Sequence, residues 1–376
     1  MKKRQLFAVM MAAALTAISV AGCGSSAPAP TTAAPAATTA AATEASAAET
    51  EAPAETEAAE TEAAAEAAPV GESFTLSLAT TQSSSTAIVK IITEMADNIR
   101  DETGGTVDIQ IYPDSTLGGQ NEYLEGVSMG TVDMCLIASA ALEGFYDQYA
   151  VYALPFLLKN VDQAYKFYES EDGQAINNEF KNRTGIKVID MFDEGYRQVF
   201  TKRPVHTLAD FAGLKIRVPD VPLLVGTFNG LGCNATIVPL GDLYTGLQTG
   251  LVDSFELPTG SAYGNSVYEQ VDYCTITNHI GGAMFVLIND NVWNKLSPEQ
   301  QEIISKYAKE ASEKNRQNIT TSDQEQWEAM KESGIEFIEL TDEAREEIVE
   351  AMNKVIDDLY GGVFDPAMLD RARALQ

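Results

Sequence analysis

The chain has 376 residues, 45% of them hydrophobic, and carries 55 Asp and Glu against 25 Lys and Arg, a formal net charge of −30. Such an acidic surface argues against nucleic acid, whose phosphates need basic patches, and against adhesion to anionic lipid by charge. An acidic protein that binds an anion must supply positive charge locally, so each arginine set among apolar residues is informative.

Residues 1–22 read as an export signal: Lys2, Lys3 and Arg4 precede an apolar run from Leu6 to Val20, too short for a permanent membrane span. The run ends in VAGC, with small residues directly before Cys23. This resembles the lipobox of bacterial lipoproteins, which implies that Cys23 becomes a lipidated N-terminus. Between Gly24 and Pro69 only Gly, Ser, Ala, Pro, Thr and Glu occur. Nothing there can bury a core, so residues 23–70 are expected to be a lipidated cysteine and a disordered tether with a reach on the order of 40 Å.

The folded module begins near Gly71. FTLSLA, from Phe74, alternates as a strand does; Ile88, Ile91, Ile92, Met95 and Ile99 mark one helix face; Val107, Ile109 and Ile111 alternate again. A helix near Gln120–Met129 and a strand from Val132 to Ile137 follow. Strand, helix, strand, helix, strand predicts a parallel sheet with helices on both faces. A second α/β unit has strands near Gly195–Thr201, Leu214–Val218 and Ala235–Val238. It echoes the first: Gly126, Gly130, Val132 and Asp133 recur as Gly246, Gly250, Val252 and Asp253. Two similar lobes explain the echo, and ligands of such sheets sit beyond the strand ends. Cys274–Ile288 reads as an extended crossover between lobes. Ser297-Pro-Glu-Gln300 has the layout of a capping box with proline at the first helical position, and the helix it opens can run towards Gly334 and brace both lobes. IEFIEL reads as a late strand and residues 341–360 as a final amphipathic helix. Cys135, Cys233 and Cys274 lack CxxC spacing and read as buried thiols, with one disulfide left open.

Arg217 stands between Ile216 and Val218 in LKIRVP, a strand stopped by Pro219. A guanidinium there is carried into or beside a crevice, where its planar fork matches a carboxylate. The same spacing also fits an internal ion pair with an Asp or Glu. Arg197 in GYRQ poses the same choice. His206 and His279 read as structural, and the tyrosines 146, 149 and 152 as packing residues.

Taken together, IYPDSTLGGQNEYLEGVSMGTVDM, YALPF, GYRQVFTKRPVHTLADFAGLKIRVP, LYTGLQTGLVDSFELP and TNHI resemble the DctP-type solute-binding proteins of tripartite ATP-independent periplasmic (TRAP) transporters. The resemblance covers essentially the whole module. It implies a two-lobed α/β periplasmic-binding-protein-like fold with a hinge and a long bridging helix, residues 71–194 plus about 283–322 forming one lobe and 195–282 plus about 323–376 the other. It implies an extracytoplasmic, lipid-anchored protein that closes on an organic acid and delivers it to a TRAP permease, with neither cofactor nor metal. By the same resemblance Arg217 binds the carboxylate and Arg197 stands near the ligand. Thr80, Gln120 and Ala138 are the expected contacts of the first lobe, and Asp220, Leu240 and Leu257 those of the second. Leu257 stands where many relatives have Asn, and Ala138 where some acid-sugar binders have an acidic residue, which disfavours a sialic-acid-like guest and favours a smaller or less polar acid. Whether the acid is a mono- or a dicarboxylate stays open.

The rival reading is a secreted α/β hydrolase-like enzyme. It needs an activated nucleophile or a metal, and no GxSxG elbow, HExxH or P-loop is present. A purely structural surface lipoprotein is a third reading.

Overall fold

The computed structural model describes residues 70–375. The export signal, Cys23 and nearly all of the tether lie outside them. The first half opens with β1 (Phe74–Ala79), α1 (Ala87–Glu102), β2 (Val107–Tyr112), α2 (Gln120–Met129) and β3 (Met134–Ala138). The strands pair in parallel in the order β2-β1-β3, and the apolar face of α1 is buried through Ile88, Ile91, Ile92, Met95 and Ile99. Strand β3 starts two residues later than the alternation suggests. Val132 is still tied to the preceding helix, its N–H donating to the Gly126 carbonyl at 3.2 Å.

After two short helices, α3 (Val161–Glu169) and α4 (Glu171–Thr184), the chain enters β4 (Ile186–Thr201). This strand begins nine residues before the predicted Gly195 start and serves both halves. Its first part runs antiparallel to β9 (Gly281–Asn289), which also lies antiparallel to β3. Its last part runs antiparallel to β7 (Ser254–Pro258) and β8 (Tyr273–Ile276). Between them the register shifts at Asp193–Tyr196, and Gly195 takes φ +84, with Asp323 packed so close that a Cβ would lie 2.4 Å from its carboxylate. Only glycine suits that bend. The sheet is therefore mixed: parallel trios at its two ends, joined through antiparallel β9 and β4.

In the second half β5 (Ile216–Val218) lies between β7 and β6 (Thr236–Ile237), parallel to both. Around it are α5 (Pro222–Gly230), α6 (Leu243–Gln248) and α7 (Thr259–Gly264). The sequence echo is the same device built twice. Gly130 and Gly250 end their helices with φ near +75. Val132 and Val252 each donate back to the helical glycine, Gly126 or Gly246. Each following aspartate then accepts a backbone N–H from the adjacent strand segment, Asp133 from Ser77 at 2.8 Å and Asp253 from Lys215 at 2.9 Å. The Cys274–Ile288 segment is two strands, broken at Thr277–Ile280, where Asn278 takes φ 47.

After the short α8 (Asp290–Trp293) comes α9 (Pro298–Glu332), 35 residues opened by the Ser297–Gln300 capping box and roughly 50 Å long. Ile303, Ile304, Ala308 and Ala311 pack into the first-half core with Leu76, Leu78 and Phe192. Met330 packs into the second-half core with Phe200 and Phe255. Those two phenylalanines, directly opposite on β4 and β7, stack at 4.8 Å. Strand β10 (Glu336–Glu339), α10 (Asp342–Tyr360) and α11 (Pro366–Ala374) complete the chain, β10 pairing with β8. Cys135, Cys233 and Cys274 are buried free thiols. Tyr149 and Tyr152 are buried against Phe285, Phe180 and Phe167.

Candidate functional site

Strand β5 carries Arg217 to the seam between the two halves. Its neighbours Ile216 and Val218 are fully buried, and Arg217 itself is only 2% exposed. Its Nε donates to the Val238 carbonyl at 2.7 Å. Among the described residues its other nitrogens make no hydrogen bond, and no carboxylate pairs with it. Burial pulls the guanidinium down to about 10, Glu256 opposing and Arg197 adding to that pull, so it remains a cation at neutral pH.

Arg197 is held differently. On β4 it faces Pro258, and Glu256 sits two residues further along β7 on the same face of the pair, the diagonal at which long side chains meet. Arg197 donates through Nε and through one terminal nitrogen, at 2.7 Å, to the two oxygens of Glu256. Burial pushes Glu256 up, but the charge and hydrogen bonds of Arg197 outweigh it and bring the carboxyl to about 2. His279 completes the cluster, its Nε2 3.5 Å from Glu256, beyond an ordinary hydrogen bond, and its Nδ1 2.8 Å from the Thr277 hydroxyl. Burial lowers its pKa, so it serves as a packed, neutral prop.

Both arginines line one cleft with Gln120 and Ala138 of the first half and Leu240 and Leu257 of the second. Its free volume is about 30 Å³, room for roughly two waters. Thr80 and Asp220 are not among the lining residues. Thr80 is spent inside its own turn, accepting from the N–H of Gln82 at 3.2 Å, and its neighbour Thr81 lines the cleft instead. Asp220 is exposed at the rim and accepts from Asn121 of α2 at 3.1 Å. The cleft also holds Gln82, Glu194, Ser261 and Met284, none of them anticipated. Glu256 had left a signal: a lone acid between Phe255 and Leu257 is costly unless paired.

A family model described as "Bacterial extracellular solute-binding protein, family 7" (DctP) matches residues 78–362. The chain belongs to this family. A relative within reach of the family 7 match is the 2,3-diketo-L-gulonate-binding periplasmic protein YiaO of Escherichia coli, 30% identical over 265 residues, which span 70% of this chain and 80% of YiaO. The C4-dicarboxylate-binding periplasmic protein DctP of Vibrio cholerae is 28% identical over 258 residues, 68% of this chain and 77% of the relative. Among solved structures, a TRAP periplasmic solute-binding protein from Xanthobacter autotrophicus with bound β-D-galacturonate superposes with a TM-score of 0.75 at 27% identity, covering 80% of this chain and all of that one. The two-lobed α/β architecture and the solute-binding role of family 7 thus apply to this chain. Nothing in these comparisons supports the hydrolase reading.

Proposed function

We propose that this protein is the extracytoplasmic receptor of a TRAP-type transporter: it captures an organic acid between lobes formed by residues 71–194 plus about 283–322 and 195–282 plus about 323–376, and hands it to the permease. It is a carrier and not an enzyme, held at the membrane through lipidated Cys23. The observation that carries this reading is a buried guanidinium, Arg217, with no carboxylate partner among the described residues, facing a cleft. Burying such a charge alone is costly, and a guest carboxylate taking two parallel hydrogen bonds from it removes that cost. Tighter contact in the closed form then drives closure about the β4 bend. Gln120, Ala138, Leu240, Leu257 and Arg197 form the remaining walls, while Thr80 and Asp220 act from outside the cleft.

Native mass spectrometry of gently purified protein identifies the co-purifying acid, and calorimetry measures its affinity. Arg217→Ala is expected to weaken binding roughly a hundredfold or more. Unchanged affinity would refute the assignment. Cys23→Ser is expected to release the protein from the membrane fraction.

A further inference from the structure

We infer that Glu194 sets how many carboxylates the guest carries: the site takes an acid with one carboxylate, held by Arg217, and hydrogen-bond donors at its other end, in preference to a dicarboxylate. This deepens the organic-acid reading and rests on it. The ionisable side chains lining the cleft are Arg217, Arg197 and Glu194; burial pushes the Glu194 carboxyl up, with Ser261, Arg197 and Gln82 opposing. Arg197 is already matched, two of its nitrogens holding both oxygens of Glu256, so that pair is neutral towards a guest. Arg217 is the one cation of the lining left without an acidic partner. Glu194 also lines, together with Arg197, the adjoining cavity against Ala138, Ile280 and Ala283, whose lining does not include Arg217. Glu194 therefore belongs to the Arg197 end of the cleft.

Glu194 is 6% exposed. Ser261 and Gln82 both donate to its Oε2, at 2.7 and 2.8 Å, while its Oε1 has no partner among the described residues. A second carboxylate on the guest meets this acid in a site poor in water, where the two cannot both be ionised and a diacid is held only with a proton shared between them. A hydroxyl or an ammonium instead donates to the open oxygen. Gln120 presents a further buried oxygen without a partner; its amide can turn, so it accommodates either guest and Glu194 decides between them. The middle of the guest lies along Ala138, Leu240 and Leu257, which place no charge on it.

The test is calorimetry on the full chain with matched pairs that differ in one end group: gluconate against glucarate, and 4-hydroxybutyrate against succinate, with 4-aminobutyrate to separate hydroxyl from ammonium. In every pair that binds, the one-carboxylate member is expected to bind roughly tenfold or more tighter, and Glu194→Gln to shrink that gap by strengthening the diacid. A diacid that binds as tightly overturns the inference, as does a gap unmoved in a Glu194→Gln protein that still binds the monoacid. The wild-type ratio decides alone if the variant does not fold. Silence from both members of every pair overturns the organic-acid reading itself, and this inference with it.

Discussion

Arg197 and Arg217 stand in one cleft, 7% and 2% exposed, and are held in opposite ways. Arg197 is built into a cross-strand pair with Glu256 that ties β4 to β7; Arg217, among the described residues, is anchored by one bond to a carbonyl and faces the cleft without a carboxylate partner. The matched charge is architecture and the unmatched one is chemistry. The largest expected effect breaks the first. Glu256→Leu strands Arg197 as a lone buried cation and should lower the free energy of unfolding by about 3–5 kcal/mol, whereas the double variant Arg197→Met/Glu256→Leu should recover most of that loss. Urea denaturation of both variants checks it. A double variant no better than the single would mean that the pair is not the reason for the loss.

The second effect has the other sign. Arg217 contributes a desolvation cost and no ion pair to the ligand-free fold, so Arg217→Met should abolish acid binding while holding or raising stability, by about 1 kcal/mol or more. Thermal unfolding without added acid reads this directly. A marked fall in Tm would show that Arg217 is architectural after all.

Acids beside the same bend show what happens when a buried carboxyl has no cation to pair with and no guest. Burial lifts Asp193 to about 8, with Glu194 and Asp323 pushing the same way, and burial also lifts Asp323 to about 7. Both pKa values are raised above the usual carboxylate range, so the folded form binds more protons than the unfolded chain. Their stabilisation is complete below about pH 4 and is lost as pH rises through about 7 to 8. Glu256 behaves oppositely: its contribution is present above the usual carboxylate range and lost as pH falls towards about 2. Asp193→Asn keeps an oxygen for the Gly195 N–H and should flatten the decline between pH 5 and 8 by at least about 1 kcal/mol. Unfolding curves across that range measure it, and an unaltered slope would locate the decline elsewhere.

These contrasts also explain what the sequence made legible. Helix α1 was readable because one face is buried and the other wet, and α9 because Ser297, Pro298 and Gln300 mark its start. Helix α5 was not: PLLVGTFNG is apolar on nearly every side, and Gly226 and Gly230 are there to let Leu359 and Val355 of α10 approach to distances that exclude a Cβ. A helix without a polar face has no period to read. Polar α4 hides for the opposite reason. In the site, Arg217 was legible as a charge among β-branched residues, but its lack of a partner is a tertiary fact. The exchange of Thr80 for Thr81 is a matter of one residue at a turn, which reverses the direction a side chain takes and leaves no trace in composition. Glu194 escaped notice beside the more conspicuous Gly195 and Arg197, since only the register shift in β4 turns it into the cleft.

The rim supplies the smallest effect. Asp220 and Asn121 meet across the mouth of the cleft, one from the loop after β5 and one from α2, at 3.1 Å and exposed. A bond of this kind competes with water on both sides, and exposed polar changes usually stay within about 0.5 kcal/mol. Asp220→Asn should therefore alter acid affinity by about twofold or less, against the hundredfold of Arg217→Ala, and act mainly on the rates of opening and closing, which stopped-flow binding separates from affinity. A loss of tenfold or more would mean that Asp220 reaches the guest in the closed complex, and the cleft would then extend to its rim.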